Sequence, residues 1–89
     1  MSDALAIERK RLRFRSWHRG TREMDLLLGR FADGSLDGYD AAALRAYAAL
    51  LEQPDPDIYD WVSGREECPK GELRPVVAAL TEFHSRISS

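Results

Sequence analysis

Positions 19–23 read Arg19-Gly20-Thr21-Arg22-Glu23, and they fall between two stretches of helical apolar spacing. A bare helix–helix turn does not need two guanidinium groups and a carboxylate. An arginine fork meets carboxylates and carbonyl oxygens in two-pronged geometry, and a glutamate beside it accepts from amides and cations. Gly20 lets another backbone come close, and it also permits a left-handed turn. This is chemistry of recognition rather than of bond breaking. The plainer alternative is a tight turn in which Arg19 and Glu23, four residues apart, pair with each other. An exposed pair of that kind contributes well under about 1 kcal/mol, so stability alone gives little reason for it.

Other reactive residue types are sparse. Cys68 is the single cysteine and lies beside Pro69. With His18 and His84 far apart, it has no metal-ligand spacing, and no metal site is expected. No nucleophile–base pair can be placed together, so no catalytic residue is expected. Gly34-Ser35-Leu36-Asp37-Gly38 contains two glycines but fits no phosphate-cradling pattern. His18 reads as a polar junction residue or a rim contact, and His84 as a half-exposed surface residue. Asp55-Pro56-Asp57-Ile58-Tyr59-Asp60-Trp61 is ambiguous in the same way as the junction. Asp and Pro start helices and Trp packs, but an aromatic beside acids also anchors interfaces.

The elements that position these residues are helical; no useful length alternates as a half-buried strand would. The first helix runs from about Asp3 to Ser16, with Leu5, Leu12 and Trp17 as a loose stripe and Ala4, Ile7 and Phe14 beside it. Phe14 and Trp17 read as core rather than as stacking platforms. Thr21 can cap the second helix, whose inner stripe is Met24, Leu27, Leu28, Phe31 and Ala32. Asp33-Gly34-Ser35 ends it. Asp37 is the expected cap of the third helix, with Asp40 completing an acidic capping box. Leu44, Tyr47, Ala48 and Leu51 face inward there, and Pro54 stops it. Asp55-Pro56 reads as a cap followed by Pro at the first helical position. Ile58, Trp61 and Val62 follow, with Gly64 as the stop. The last helix carries Leu73, Val76, Val77, Leu80, Phe83 and Ile87, with Pro75 in its first turn, and Ser88-Ser89 are expected to fray. The fold class is all-α, a compact bundle of five short helices forming one domain over residues 1–89.

Composition sets the outer bounds. Eighty-nine residues with 44% hydrophobic and 31% charged content suit one soluble core. No apolar run is long enough to span a membrane. Met1-Ser2-Asp3 leads directly into a charged helix without an apolar leader, and a cytoplasmic protein is expected. Net charge is −2, but the sign is segregated. Residues 9–22 hold seven basic and no acidic side chains, whereas residues 33–67 hold nine acidic ones against Arg45 and Arg65. The basic helix raises nucleic-acid binding. A pI near 5.6 and an acidic middle argue against it, leaving a solvated face or a protein-docking face.

Trp17-His18-Arg19-Gly20-Thr21-Arg22-Glu23-Met24-Asp25-Leu26 resembles the Arg-Gly-x-x-Glu signature of the succinate dehydrogenase flavinylation assembly factors. Leu50-Leu51-Glu52 with Asp55-Pro56-Asp57 and Trp61 resembles that family's Leu-Leu-Glu, Asp-Pro-Asp and Trp stretch, in the right order and at the right separation. The resemblance covers roughly Ile7 to Ile87. It implies a five-helix fold and a non-catalytic, chaperone-like role. The partner it implies is the flavoprotein subunit of succinate dehydrogenase, and in some bacteria that of fumarate reductase. FAD becomes attached to that partner, the flavin–histidine bond forming within it, and no cofactor stays on the factor. Carried onto this chain, the client contact is Arg19, Gly20 and Glu23, extended by Arg15, His18, Arg22, Asp55 and Trp61. His18 departs from the pattern, which often has a second basic residue there. Replacing Glu23 or Arg19 is expected to spare the helices and impair the client. A different class stays open: some members of this family have carried an antitoxin label, and a small charged bundle suits a toxin-neutralising or regulatory interaction protein.

Overall fold

The computed structural model describes residues 3–88, and all of its regular structure is helical. Met1, Ser2 and Ser89 lie outside the described residues, and with them the leader reading and part of the expected terminal fraying. The helices are α1 (Asp3–Trp17), α2 (Arg22–Ser35), α3 (Ala41–Leu51), α4 (Asp55–Val62) and α5 (Leu73–Ser88), with a 3-10 turn at Leu36–Gly38 between α2 and α3. The five-helix, all-α expectation therefore holds. Among the described residues no helix is long and apolar enough to cross a membrane.

Helices α1 and α2 pack most extensively, α3 and α4 both lie on α5, and α1 also touches α3. The shared core holds Leu12, Leu28, Leu36, Leu44, Tyr47, Leu50, Ile58 and Leu80, all fully buried. Ser16 is the buried polar residue at its centre. Its Oγ donates to Leu12 O (2.7 Å) and lies 2.6 Å from Tyr47 Oη, which also reaches Leu28 O at 3.4 Å. These bonds satisfy a polar pair that would otherwise be costly to bury. Burial pushes the Tyr47 phenol far above its ordinary range, so it stays neutral.

Two helix starts differ from the sequence reading. Asp37 does not cap α3. Leu36 is drawn fully into the core, which folds residues 36–38 into the 3-10 turn and leaves Asp37 exposed on it. Asp40, with extended backbone just before Ala41, is the cap, and its Oδ1 accepts from Ala43 N at 2.9 Å. Likewise, Pro54 occupies the capping position of α4, and Asp55 is the first helical residue. That frees the Asp55 carboxylate for a longer reach. Pro75 falls in the first turn of α5, as expected.

The first helix departs furthest. Leu12 and Ser16 face the core, but Phe14, expected inside, is 64% exposed, and Ile7 is 59% exposed. The charge segregation also resolves largely within the molecule. Arg9 donates to Leu36 O (2.8 Å) and Tyr39 O (2.7 Å), Arg13 pairs with Asp37, and Arg15 pairs with Glu52. Two of the five basic side chains of the first helix are thus paired with the acidic middle of the same chain, and a third caps its carbonyls. His84 is half-exposed, as expected, with its ring edge-on to Tyr59.

Candidate functional site

The chain leaves α1 at Trp17 and turns at Gly20, where φ is +116°. A Cβ at Gly20 would meet nothing within 4 Å, so glycine is required there by backbone conformation rather than by crowding. Thr21 is extended, and its Oγ1 accepts from Met24 N at 3.3 Å, the expected cap of α2. A second tie had no signal in periodicity. The Asp25 carboxylate, one turn into α2, accepts from Arg19 N (2.6 Å) and Gly20 N (3.3 Å), fixing the loop from below.

Arg19 turns inward. Its Nε donates to Asp55 Oδ1 (2.8 Å), Nη1 to Leu51 O (2.7 Å) and Nη2 to Gln53 O (2.9 Å), and Nη2 also lies 2.8 Å from Asp55 Oδ1. Its side chain is 12% exposed. The guanidinium caps carbonyls left over at the end of α3, where positive charge is also favoured by the helix dipole. The Arg19–Glu23 pair weighed from the sequence does not form. Nor do the two side chains stand together as an outward fork and carboxylate. Arg19 belongs to the scaffold, so the expectation that its replacement spares the bundle is withdrawn.

Gly20, Thr21, Arg22, Glu23 and His18 remain exposed. Among the described residues, the Arg22 and Glu23 side chains have no hydrogen-bond or ion-pair partner. Two shallow grooves flank them. One, of about 560 Å³, is lined by Trp17, His18, Gly20, Thr21, Arg22, Asp25 and Leu26. The other, of about 310 Å³, is lined by Thr21, Glu23, Met24, Asp55, Pro56 and Tyr59. Thr21 is the crest between them.

The walls are held by contacts of their own. His18 Nδ1 donates to Phe14 O (2.6 Å), and its ring stacks on Phe14 at 4.0 Å. Trp17 lies flat on α2 at Gly29, where a Cβ would sit 2.2 Å from the indole, and its Nε1 donates to the Asp33 carboxylate at 3.2 Å. Apolar periodicity does not single out Gly29, although a glycine inside a helical pattern is itself a sign of close approach.

The structure therefore gathers His18, Arg19, Gly20, Arg22, Glu23 and Asp55 at one junction, with Arg15 one turn behind through Glu52. Trp61 is set apart. It follows Asp55 by six residues, roughly 9 Å along α4 and about 120° around it, packs on the core, and lines neither groove. Cys68 is buried in its loop, with its thiol pushed up by that burial. No group of three or more potential metal ligands occurs among the described residues. What the junction offers is an exposed carboxylate, an exposed guanidinium and an open glycine turn on a braced base.

Comparison with known proteins gives this surface a context. The family described as the flavinator of succinate dehydrogenase matches residues 10–84. The chain is 40% identical over 80 residues to the FAD assembly factor SdhE of Acetobacter pasteurianus, covering 90% of this chain and 73% of that protein. It is 39% identical over 62 residues to the factor of the same name from Legionella pneumophila, covering 70% and 77%. It is 41% identical over 78 residues to a mitochondrial succinate dehydrogenase assembly factor 2 of Dictyostelium discoideum, covering 88% of this chain and 55% of that protein. The chain thus spans about three quarters of these bacterial relatives and about half of the mitochondrial one. No solved structure matches it. A family match running from α1 to the last turns of α5, with a relative 40% identical over 80 residues, means that the chain belongs to the family of succinate dehydrogenase flavinators.

Proposed function

We propose that this protein binds the flavoprotein subunit of succinate dehydrogenase and promotes covalent attachment of FAD to it. Family membership points to the client. One structural observation supports the residue assignment: of the Arg-Gly-x-x-Glu signature, Gly20 and the Glu23 side chain are exposed and Glu23 has no partner within the described residues, while Arg19 is consumed in bracing the turn from inside. Glu23 accepts hydrogen bonds from client amides or cations, and Arg22 meets client carboxylates or carbonyls. Gly20 lets the client backbone approach. Arg19 and Asp55, with Arg15 behind them, act by position. His18 closes the rim, and Trp61 acts through the packing of α4.

The protein supplies no reacting group in this reading. FAD and the residue that accepts it belong to the client, and the factor holds no stably bound cofactor. Its contribution is to favour the client conformation in which the two are aligned, which lowers the barrier through orientation and population shift. It acts in the cytoplasm as an assembly factor rather than as an enzyme, and the flavoprotein of fumarate reductase is a second client of the same surface.

The test is covalent flavin, read as in-gel fluorescence of the denatured client with and without this protein. Glu23→Ala, with unchanged helicity, should lose at least about tenfold of the stimulated fluorescence, as expected when a transition-relevant contact worth about 1.4 kcal/mol or more is removed. Equal fluorescence with wild type, with Glu23→Ala and with no factor would overturn the reading.

A further inference from the structure

The outward ridge of α1 was not expected from the sequence. Ile7, Arg11, Phe14 and His18 follow one another at steps of four, three and four residues, which places them within a narrow arc of one helical face. That face is opposite the one carrying Leu12 and Ser16. Ile7 and Phe14 are the large apolar side chains that the fold leaves most open, at 59% and 64%. Single exposed apolar residues are ordinary. Two on one ridge, about 10 Å apart along the axis, form a stripe. Around them stand Lys10, exposed, and Arg11, whose side chain is 66% exposed and meets only Glu8 at 3.8 Å.

The stripe does not end in solvent. Phe14 stacks on His18, and His18 lines the larger groove beside Gly20 and Arg22. Apolar stripe, imidazole and signature turn are therefore one continuous surface. Arg13 and Arg15 are paired with Asp37 and Glu52 and Arg9 is spent on two carbonyls, so the cations of α1 least engaged by the fold are Lys10 and Arg11, the latter with only its 3.8 Å contact to Glu8.

We infer that the α1 ridge is a second anchor for the same flavoprotein client. Phe14 and Ile7 insert into an apolar depression of the client, whose acidic rim faces Lys10 and Arg11. This rests on the function proposed above and divides the labour within it. The junction alters the client's conformation, and the ridge supplies affinity and the speed of encounter.

The experiment titrates purified, non-flavinylated flavoprotein subunit with wild type, Phe14→Ser, Ile7→Ser/Phe14→Ser and Glu23→Ala, and follows flavinylation at limiting and saturating factor. Both serine variants keep wild-type helicity, because the side chains removed are exposed. The double variant should weaken binding at least about tenfold, equivalent to 1.4 kcal/mol, and its flavinylation should recover at saturating concentration. Glu23→Ala should not recover. Arg11→Glu should weaken binding more at low salt than at high salt. Wild-type binding by the double variant, alongside failure of Glu23→Ala, would overturn the ridge and leave the junction standing. A wild-type dimer that the serine variants convert to monomer without loss of client affinity would also overturn it, assigning the ridge to a second copy. Failure of the junction reading itself appears separately, as normal flavinylation with Glu23→Ala.

Discussion

Arg19 and Arg22 stand three residues apart at one helix junction, carry the same group, and have opposite fates. Arg19 is nearly enclosed, with its donors spent on Asp55, Leu51 O and Gln53 O. Arg22 projects from the first turn of α2 with no partner among the described residues. The same division runs along α1. Arg9, Arg13 and Arg15 reach back to the 3-10 turn and the end of α3, whereas Lys10 and Arg11 point away. A basic stretch in a sequence is therefore not one surface. Part of it fastens helices together, and the remainder, made unbalanced by that fastening, is available to a partner.

The contrast is sharpest if the two arginines are removed in turn. Arg19→Ala should cost about 2–4 kcal/mol in urea denaturation, because a largely buried carboxylate and two helix-end carbonyls lose their donor. Arg22→Ala should change stability by no more than about 0.5 kcal/mol. Equal effects would erase the distinction drawn here. Next in size is Gly29→Ala, which forces the Trp17 ring off α2 and should cost about 1–3 kcal/mol. Thermal melts would measure it, and indole fluorescence in a Trp61→Phe background would report the displaced ring. The smallest effects separate two aspartates. Asp40→Ala, the loss of a true cap, should cost about 1 kcal/mol. Asp37→Ala, which loses only an open pair with Arg13, should stay within about 0.5 kcal/mol. The reverse order would restore Asp37 as the cap of α3.

The helices themselves were legible because their signals are local. Stripes at three and four residues, Thr21 as a cap and Gly64 as a stop all act within a turn or two. The start of α3 was less so. Whether Asp37 or Asp40 caps depends on Leu36 being pulled into the core, and that pull comes from other helices. Helix α1 was misread for a related reason. Its apolar residues lie on two opposite faces, and spacing alone does not say which face the bundle covers. The junction stood out from its composition, and the resemblance supplied the signature. The inward turn of Arg19 was not legible, since its acceptors lie more than thirty positions away and periodicity senses only near neighbours.

That separation gives the signature a place in time. Leu51 O and Gln53 O exist as acceptors for Arg19 only after α3 has formed, and Asp55 is in position only once α4 has begun. Loop closure over such a span comes after local helix formation. A growing or partly folded chain that already contains residues 19–23 therefore lacks the brace beneath them, so it cannot present the finished turn. Under the function proposed above, the contact surface is complete only once α3 and α4 are in place, and engagement with a client is coupled to the factor's own maturity.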